Sequence, residues 1–325
     1  MKRFFGIGLL ALGLVACGDT NPLTSPPPQE NPDLPPGTLN PTSNSDVERY
    51  EARDDNGSGY AESITYNAGA DTFSVDNLPF DADNVYARDD VVPSLGPFRV
   101  YENAEVYNDD VTGTPINQLP HKALYGVSTN VNGDGEPVTE FAIVRTGAYV
   151  GFGFGGFMYK RSDGVVLPDQ GEAGFTGAYA GIRDFQNQGG LEYTTGDMDL
   201  AIDFSDFNSG DAVRGTVSNR AIFNVDGVDV TNSVTAALGV ASLPTLHLTV
   251  TADAIDANGE ITGSASSAFV NLGGALETYE EGSYYAVLAG SGADMEVAGI
   301  IVVTGEDPRA DGVIFRETGG FILYR

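Results

Sequence analysis

Asp197-Met198-Asp199-Leu200-Ala201-Ile202-Asp203-Phe204 decides the fold class. In an extended chain successive side chains alternate between faces, so Met198, Leu200, Ile202 and Phe204 share one side and Asp197, Asp199, Ala201 and Asp203 the other. An apolar face backed by aspartates describes a half-buried strand with a wet outer surface. Leu246, Leu248 and Val250 alternate with His247 and Thr249 in the same way. Working outward from this pattern, strands are expected at 174–184, 190–205, 212–223, 245–255, 260–270, 282–289, 295–304 and 312–325. Asp256-Ala257-Asn258-Gly259 reads as a tight turn between the fourth and fifth. Eight sequential antiparallel strands can close on themselves, which removes exposed edges. The interior of such a barrel is either filled by side chains or wide enough for one small ligand.

Upstream, residues 46–170 read as a smaller, irregular β domain. Ile64-Thr65-Tyr66 and Phe73-Ser74-Val75 flank a turn-forming stretch and make a hairpin. Phe98-Arg99-Val100-Tyr101, Leu124-Tyr125-Gly126-Val127 and Phe141-Ala142-Ile143-Val144 follow as further strands, and no capped amphipathic stretch argues for a helix. The fold class is therefore all-β: an eight-stranded antiparallel up-and-down barrel over 171–325, preceded by the irregular domain.

The first 45 residues have a different character. Lys2 and Arg3 precede an apolar run from Phe4 to Ala16, and Cys17 is the only cysteine in 325 residues. Leu14-Val15-Ala16-Cys17 resembles a bacterial lipoprotein lipobox. The resemblance implies a signal peptide over 1–16, cleavage before Cys17, and lipidation of that cysteine with palmitate among the acyl chains. The alternatives are an ordinary signal peptide that leaves a free thiol, or a membrane span, for which the run is short of the ~20 residues required. On the same resemblance, Gly18 in place of an acidic residue implies an anchor in the outer membrane of a Gram-negative cell. Eight of the 17 prolines fall between Pro22 and Pro41, so the segment after Cys17, to residue 45, reads as an extended tether. At ~3.1 Å per residue it reaches up to about 85 Å.

The charge balance is 46 acidic against 16 basic residues, a net −30, with lysine only at positions 2, 122 and 160. Phosphate neutralisation needs Lys and Arg, which excludes a general nucleic-acid binder. Anionic lipid headgroups repel such a chain, so membrane affinity rests on the lipid at Cys17. The acidity is read as a solvated surface, with a docking face for a basic partner as the sharper alternative. A transmembrane barrel is disfavoured, since the chain has no Trp for an aromatic girdle and a lipid anchor would duplicate insertion.

Chemistry-bearing motifs are few. Gly151, Gly153 and Gly156 spell G-x-G-x-x-G, yet Phe157-Met158-Tyr159-Lys160 continues a β alternation where a dinucleotide site needs a helix. Asn130, Asn132 and Asp134-Gly135 resemble the start of a calcium loop, but Phe141 stands where the bidentate Glu belongs and Glu140 is one residue early. That stretch, like Asp307–Gly312, is read as a turn. His121 and His247 are the only histidines, and no G-x-S-x-G elbow accompanies them. Asp197, Asp199 and Asp203 are read as solvation, with cation binding as the alternative. No enzyme activity, cofactor or metal is expected.

Gly177-Ala178-Tyr179-Ala180-Gly181, Leu200-Ala201-Ile202-Asp203-Phe204 and Val213-Arg214-Gly215-Thr216-Val217 resemble the opening barrel hairpins of transferrin-binding protein B. Gly259–Ala265, Met295–Gly299 and Gly319-Gly320-Phe321 are similar to its later strands. The resemblance covers about 172–325 and implies a lobe of handle domain plus barrel, matching the position of 46–165. It further implies a surface lipoprotein that binds a protein, haem or another solute, with an outer-membrane translocator as a second partner. One lobe-sized unit stands where transferrin-binding protein B has two, and no ligand-contacting residue carries over. The alternative function is a structural or assembly lipoprotein of the envelope without a captured ligand.

Overall fold

A computed structural model describes residues 33–54, 58–61, 63–76, 78, 85–103, 111–113, 121–147, 151–206, 212–249 and 254–325. The signal segment, Cys17 and most of the Pro-rich tether lie outside the described residues.

Short alternating runs in the first half form one antiparallel sheet. Its strands are β1 (Val47–Tyr50), β2 (Ser63–Asn67), β3 (Thr72–Asp76), β4 (Val85–Arg88), β5 (Ser94–Leu95), β6 (Phe98–Asn103), β7 (His121–Val127), β8 (Thr139–Thr146) and β9 (Gly155–Arg161). The order is β1-β9-β8-β7-β6-β4-β3-β2, with β5 paired to β6 at the side. The domain expected to be irregular is thus one continuous curled sheet, a half-barrel. Gly155 and Gly156 open β9, whereas residues 151–154, read as strand from the Gly-Phe alternation, form the turn before it with Gly151 and Gly153 at φ 55° and 73°. At the β7–β8 hairpin, Asn132 Oδ1 accepts from the amides of Asp134 and Glu136 (3.0 and 2.9 Å), so a turn uses the asparagine of the calcium-like stretch.

After the two-residue β10 (Val165–Val166), the chain enters the barrel. Its strands are β11 (Glu172–Phe185), β12 (Gln188–Asp203), β13 (Val213–Asn224), β14 (Leu246–Thr249), β15 (Glu260–Val270), β16 (Leu276–Ser291), β17 (Glu296–Glu306) and β18 (Ile314–Tyr324). Each pairs antiparallel with its neighbour, and β18 returns to β11, which closes the wall. Met198, Leu200, Ile202 and Phe204 point inward and are buried, whereas Asp197 and Asp199 face solvent, as the alternation requires. The fourth strand is described over Leu246–Thr249, and residues 250–253 of its expected range lie outside the described residues. Between it and β13 lies a helix the sequence does not announce, α1 (Thr231–Leu238), whose Val234 packs with Ile222, Leu243, Tyr279 and Phe315. Gly239 ends it with φ 72°, a left-handed backbone that suits glycine.

The barrel interior is filled. Phe175, Met198, Leu200, Ile202, Leu246, Leu248, Ile261, Leu288, Val297, Ile301 and Phe321 pack there in one cluster. Towards the α1 end the filling becomes ionic. Arg183 Nε and Glu317 Oε2 are 2.7 Å apart, Arg220 pairs with Glu280 and lies 3.2 Å from Glu317, and Tyr179 Oη donates to Glu317 at 2.6 Å. Two cations and two carboxylates balance, which is what lets four charges stay buried. On β12 the apolar side chains point inward and Asp197 and Asp199 outward, the reverse of the alternation in a membrane-spanning barrel.

The sheet packs one face on this barrel. Phe98, Val100, Leu124, Phe141, Ile143, Phe157 and Tyr159 meet Ala180, Ile182, Val287, Ala298, Ile300 and Ile322 in a shared apolar cluster. Buried polar contacts fix the docking. Arg49 donates twice to Glu260 (2.7 and 2.8 Å), Arg145 twice to Thr318 Oγ1 (3.2 and 2.8 Å), and Ser128, Asn130 and Thr139 all donate to Glu296.

Candidate binding groove

Alternation sends every second residue of the sheet away from the barrel. Those residues are Ile64 and Tyr66 of β2, Phe73 and Val75 of β3, Arg99 and Tyr101 of β6, Tyr125 and Val127 of β7, Glu140 and Ala142 of β8, and Met158 and Lys160 of β9. Because the sheet curls, β2 comes round to face β7–β9 across an open groove of about 730 Å³. Ile64, Tyr66, Tyr125 and Met158 supply apolar surface, Arg99, Glu140 and Lys160 supply charge, and Thr65, Ala68 and Glu136 lie exposed at the rim. The volume falls within the ~300–1,000 Å³ typical of small-molecule sites.

Register explains the polar arrangement. Arg99 lies opposite Tyr125, and Glu140 opposite Lys160. Lys160 Nζ is 2.9 Å from Glu140 Oε1, and Tyr125 Oη donates to Glu140 Oε2 at 2.5 Å. Asp71, in the β2–β3 turn, accepts from Tyr66 (3.0 Å), Tyr101 (2.7 Å) and Arg88 (2.8 Å). Desolvation pushes the Asp71 carboxyl up, but hydrogen bonds from Tyr101, Arg88 and Tyr66 outweigh it and hold the group below its ordinary value. Burial, and then the Glu140 carboxylate, push the Tyr125 hydroxyl up, so it remains a donor at neutral pH. Arg99 Nη1 donates to Tyr66 Oη at 2.5 Å, with the guanidinium carbon 5.2 Å from the Tyr66 ring centre. The Tyr66 and Tyr125 rings pack 4.8 Å apart and form a continuous aromatic wall.

The residues singled out in the sequence do not converge here. His247 is exposed on the barrel wall, while His121 is buried beside the Tyr86 ring. Asp197 accepts from Asn219 (2.8 Å) and Asp203 from the Ser205 amide (2.9 Å). Asp307 is bound by Arg309 (2.8 Å) within its turn. Among the described residues no cluster of His, Cys, Asp and Glu is arranged to hold a metal ion. The groove residues that sequence reasoning passed over carried a usable signal, since Arg99, Tyr125 and Ala142 fall in runs already read as strands.

No family model matches the chain. No curated protein matches it. Solved structures do. A single mutant of the vaccine antigen transferrin binding protein B from Haemophilus parasuis Hp5 aligns with TM-score 0.36 and 10% identity, over 85% of this chain and 45% of that one. A double mutant of the same antigen gives 0.37 and 10%, over 81% and 42%. Intact Ap-TbpB, with N and C lobes, gives 0.32 and 11%, over 88% and 61%. The chain thus spans less than two thirds of the length of each of these three structures, all of transferrin-binding protein B.

Proposed function

We propose that this chain is a non-catalytic lipoprotein, anchored in the outer membrane through Cys17, that binds an extracytoplasmic solute in the groove of its curled sheet. One observation carries the reading. The barrel interior is filled by its own side chains, whereas the curled sheet leaves about 730 Å³ open between β2 and β7–β9. The mixture of apolar wall and a few fixed polar groups suits small-molecule binding. The lipobox-like stretch and the Pro-rich tether support the address.

The test is small-molecule mass spectrometry of the tagged chain purified from its own envelopes. Val127 is half-buried at the groove, and Val127→Trp fills the space from the end of β7. The wild type is expected to carry a compound that Val127→Trp, folded by circular dichroism, lacks. Equal retention by both proteins would remove the groove from the proposal.

A further inference from the structure

We infer that the groove's ligand is a small organic monoanion, its carboxylate seated on Arg99 and its apolar body along Ile64, Tyr66, Tyr125 and Met158. This rests on the reading of the groove as a binding site and names the chemistry of its ligand.

Most of the chain's few cations are buried or paired. Arg49, Lys122, Arg145, Arg161, Arg183, Arg220 and Arg316 are buried. The half-exposed cations mostly have carboxylate partners: Arg88 on Asp71, Lys160 on Glu140, and Arg309 on Glu192 and Asp307. Arg99 differs. Its guanidinium lines the groove, and its hydrogen bonds go to the neutral hydroxyls of Tyr66 and Tyr101, with the Asp71 carboxylate near enough to act on its charge. No carboxylate among the described residues closes an ion pair with it. A guanidinium has five N–H donors in a fork that matches a carboxylate, and two bonds to phenols leave it further donors at the groove.

The opposing consideration is the net −30 of the chain, which repels anions. That field is screened beyond roughly 8 Å at physiological salt. A contact between guanidinium and carboxylate acts at hydrogen-bond range, beside the Tyr66 and Tyr125 rings, so the local term wins. The apolar half of the ligand follows from the lining: Tyr66 and Tyr125 offer flat faces, and Met158 adapts to irregular shapes. Tyr66 is doubly fixed, donating to Asp71 and accepting from Arg99, so the guanidinium is held in place before a ligand arrives.

Isothermal titration of the full chain with 2-naphthoate and decanoate, and with their neutral amides 2-naphthamide and decanamide, tests this. At least one carboxylate is expected to bind, with its amide roughly tenfold weaker or more. Arg99→Gln should bring the carboxylate down to the level of the amide and leave the amide unchanged. Arg99→Lys, which keeps the charge, should retain part of the difference. Equal binding of acid and amide, or discrimination that survives Arg99→Gln, overturns the anion assignment and leaves the groove standing. Failure of all four probes at roughly millimolar concentration overturns the assignment as well; the groove itself is then judged by the Val127→Trp comparison. Circular dichroism of each Arg99 variant separates loss of binding from loss of fold.

Discussion

A Cβ placed on Gly320 of β18 would come within 2.2 Å of the Phe141 ring of β8. The sheet and the barrel therefore meet at a point where only glycine fits. On the neighbouring residue, a Cβ at Gly319 would strike the Tyr179 hydroxyl at 2.1 Å inside the barrel, so the Gly-Gly pair serves both faces of one strand.

Gly320→Ala should accordingly lower stability by about 1–3 kcal/mol, because a buried ring must move. Urea unfolding measures it. Phe141→Leu in the same chain should recover part of the loss, as contacting residues couple. An unchanged midpoint in Gly320→Ala would show that the two layers do not press together here.

Arg49 and Glu260, 211 residues apart, form a buried bidentate pair that ties β1 to the barrel. Removing one partner strands the other charge, and Glu260→Ala should cost about 3–5 kcal/mol. Replacing both, as Arg49→Met with Glu260→Leu, should cost much less than the two single changes added together. A double-mutant cycle gives the coupling; additive losses would mean that the pair does not act as a unit.

Acid should weaken the barrel end near α1. Burial raises the Glu317 carboxyl, but Arg183 and Arg220, with the bond from Tyr179, overcome this and hold it at about 2 against an ordinary 4.5. A depressed folded-state value contributes stability that is present above about 4.5 and lost as pH falls towards 2. Glu51 and Asp71 are lowered and act in the same direction, whereas Asp184, raised by burial, opposes them. The urea midpoint is expected to fall below pH 4.5 and to fall less steeply in Glu317→Gln. A midpoint flat between pH 5 and 2.5 would contradict this account.

The parts of the fold legible in the sequence are those that one strand dictates alone. Met198, Leu200 and Ile202 alternate with aspartates whatever lies beside them, so β12 and most of the barrel follow. Helix α1 was not legible. Thr231–Leu238 is eight residues with two threonines and a valine, and no side chain caps its start at Val230. Packing of Val234 at the barrel end makes it a helix, and that contact exists only after closure. The strands that carry the groove were legible, but their assembly into one site was not, for a related reason. Arg99, Tyr125, Glu140 and Lys160 come from four strands, and only register and curl bring them together.

The address is tested by Cys17→Ser. The variant is expected to accumulate uncut or unlipidated and to leave the outer-membrane fraction, which immunoblotting of separated membranes reads directly. Unchanged fractionation would refute the anchor.

The central claim, that the solute site lies in the curled sheet and not in the barrel, is tested most directly by a crystal structure of the chain purified from its own envelopes. The account predicts ligand density between β2 and β7–β9, in contact with Tyr66, Arg99 and Tyr125. Density elsewhere on the molecule, with the groove empty, would contradict it.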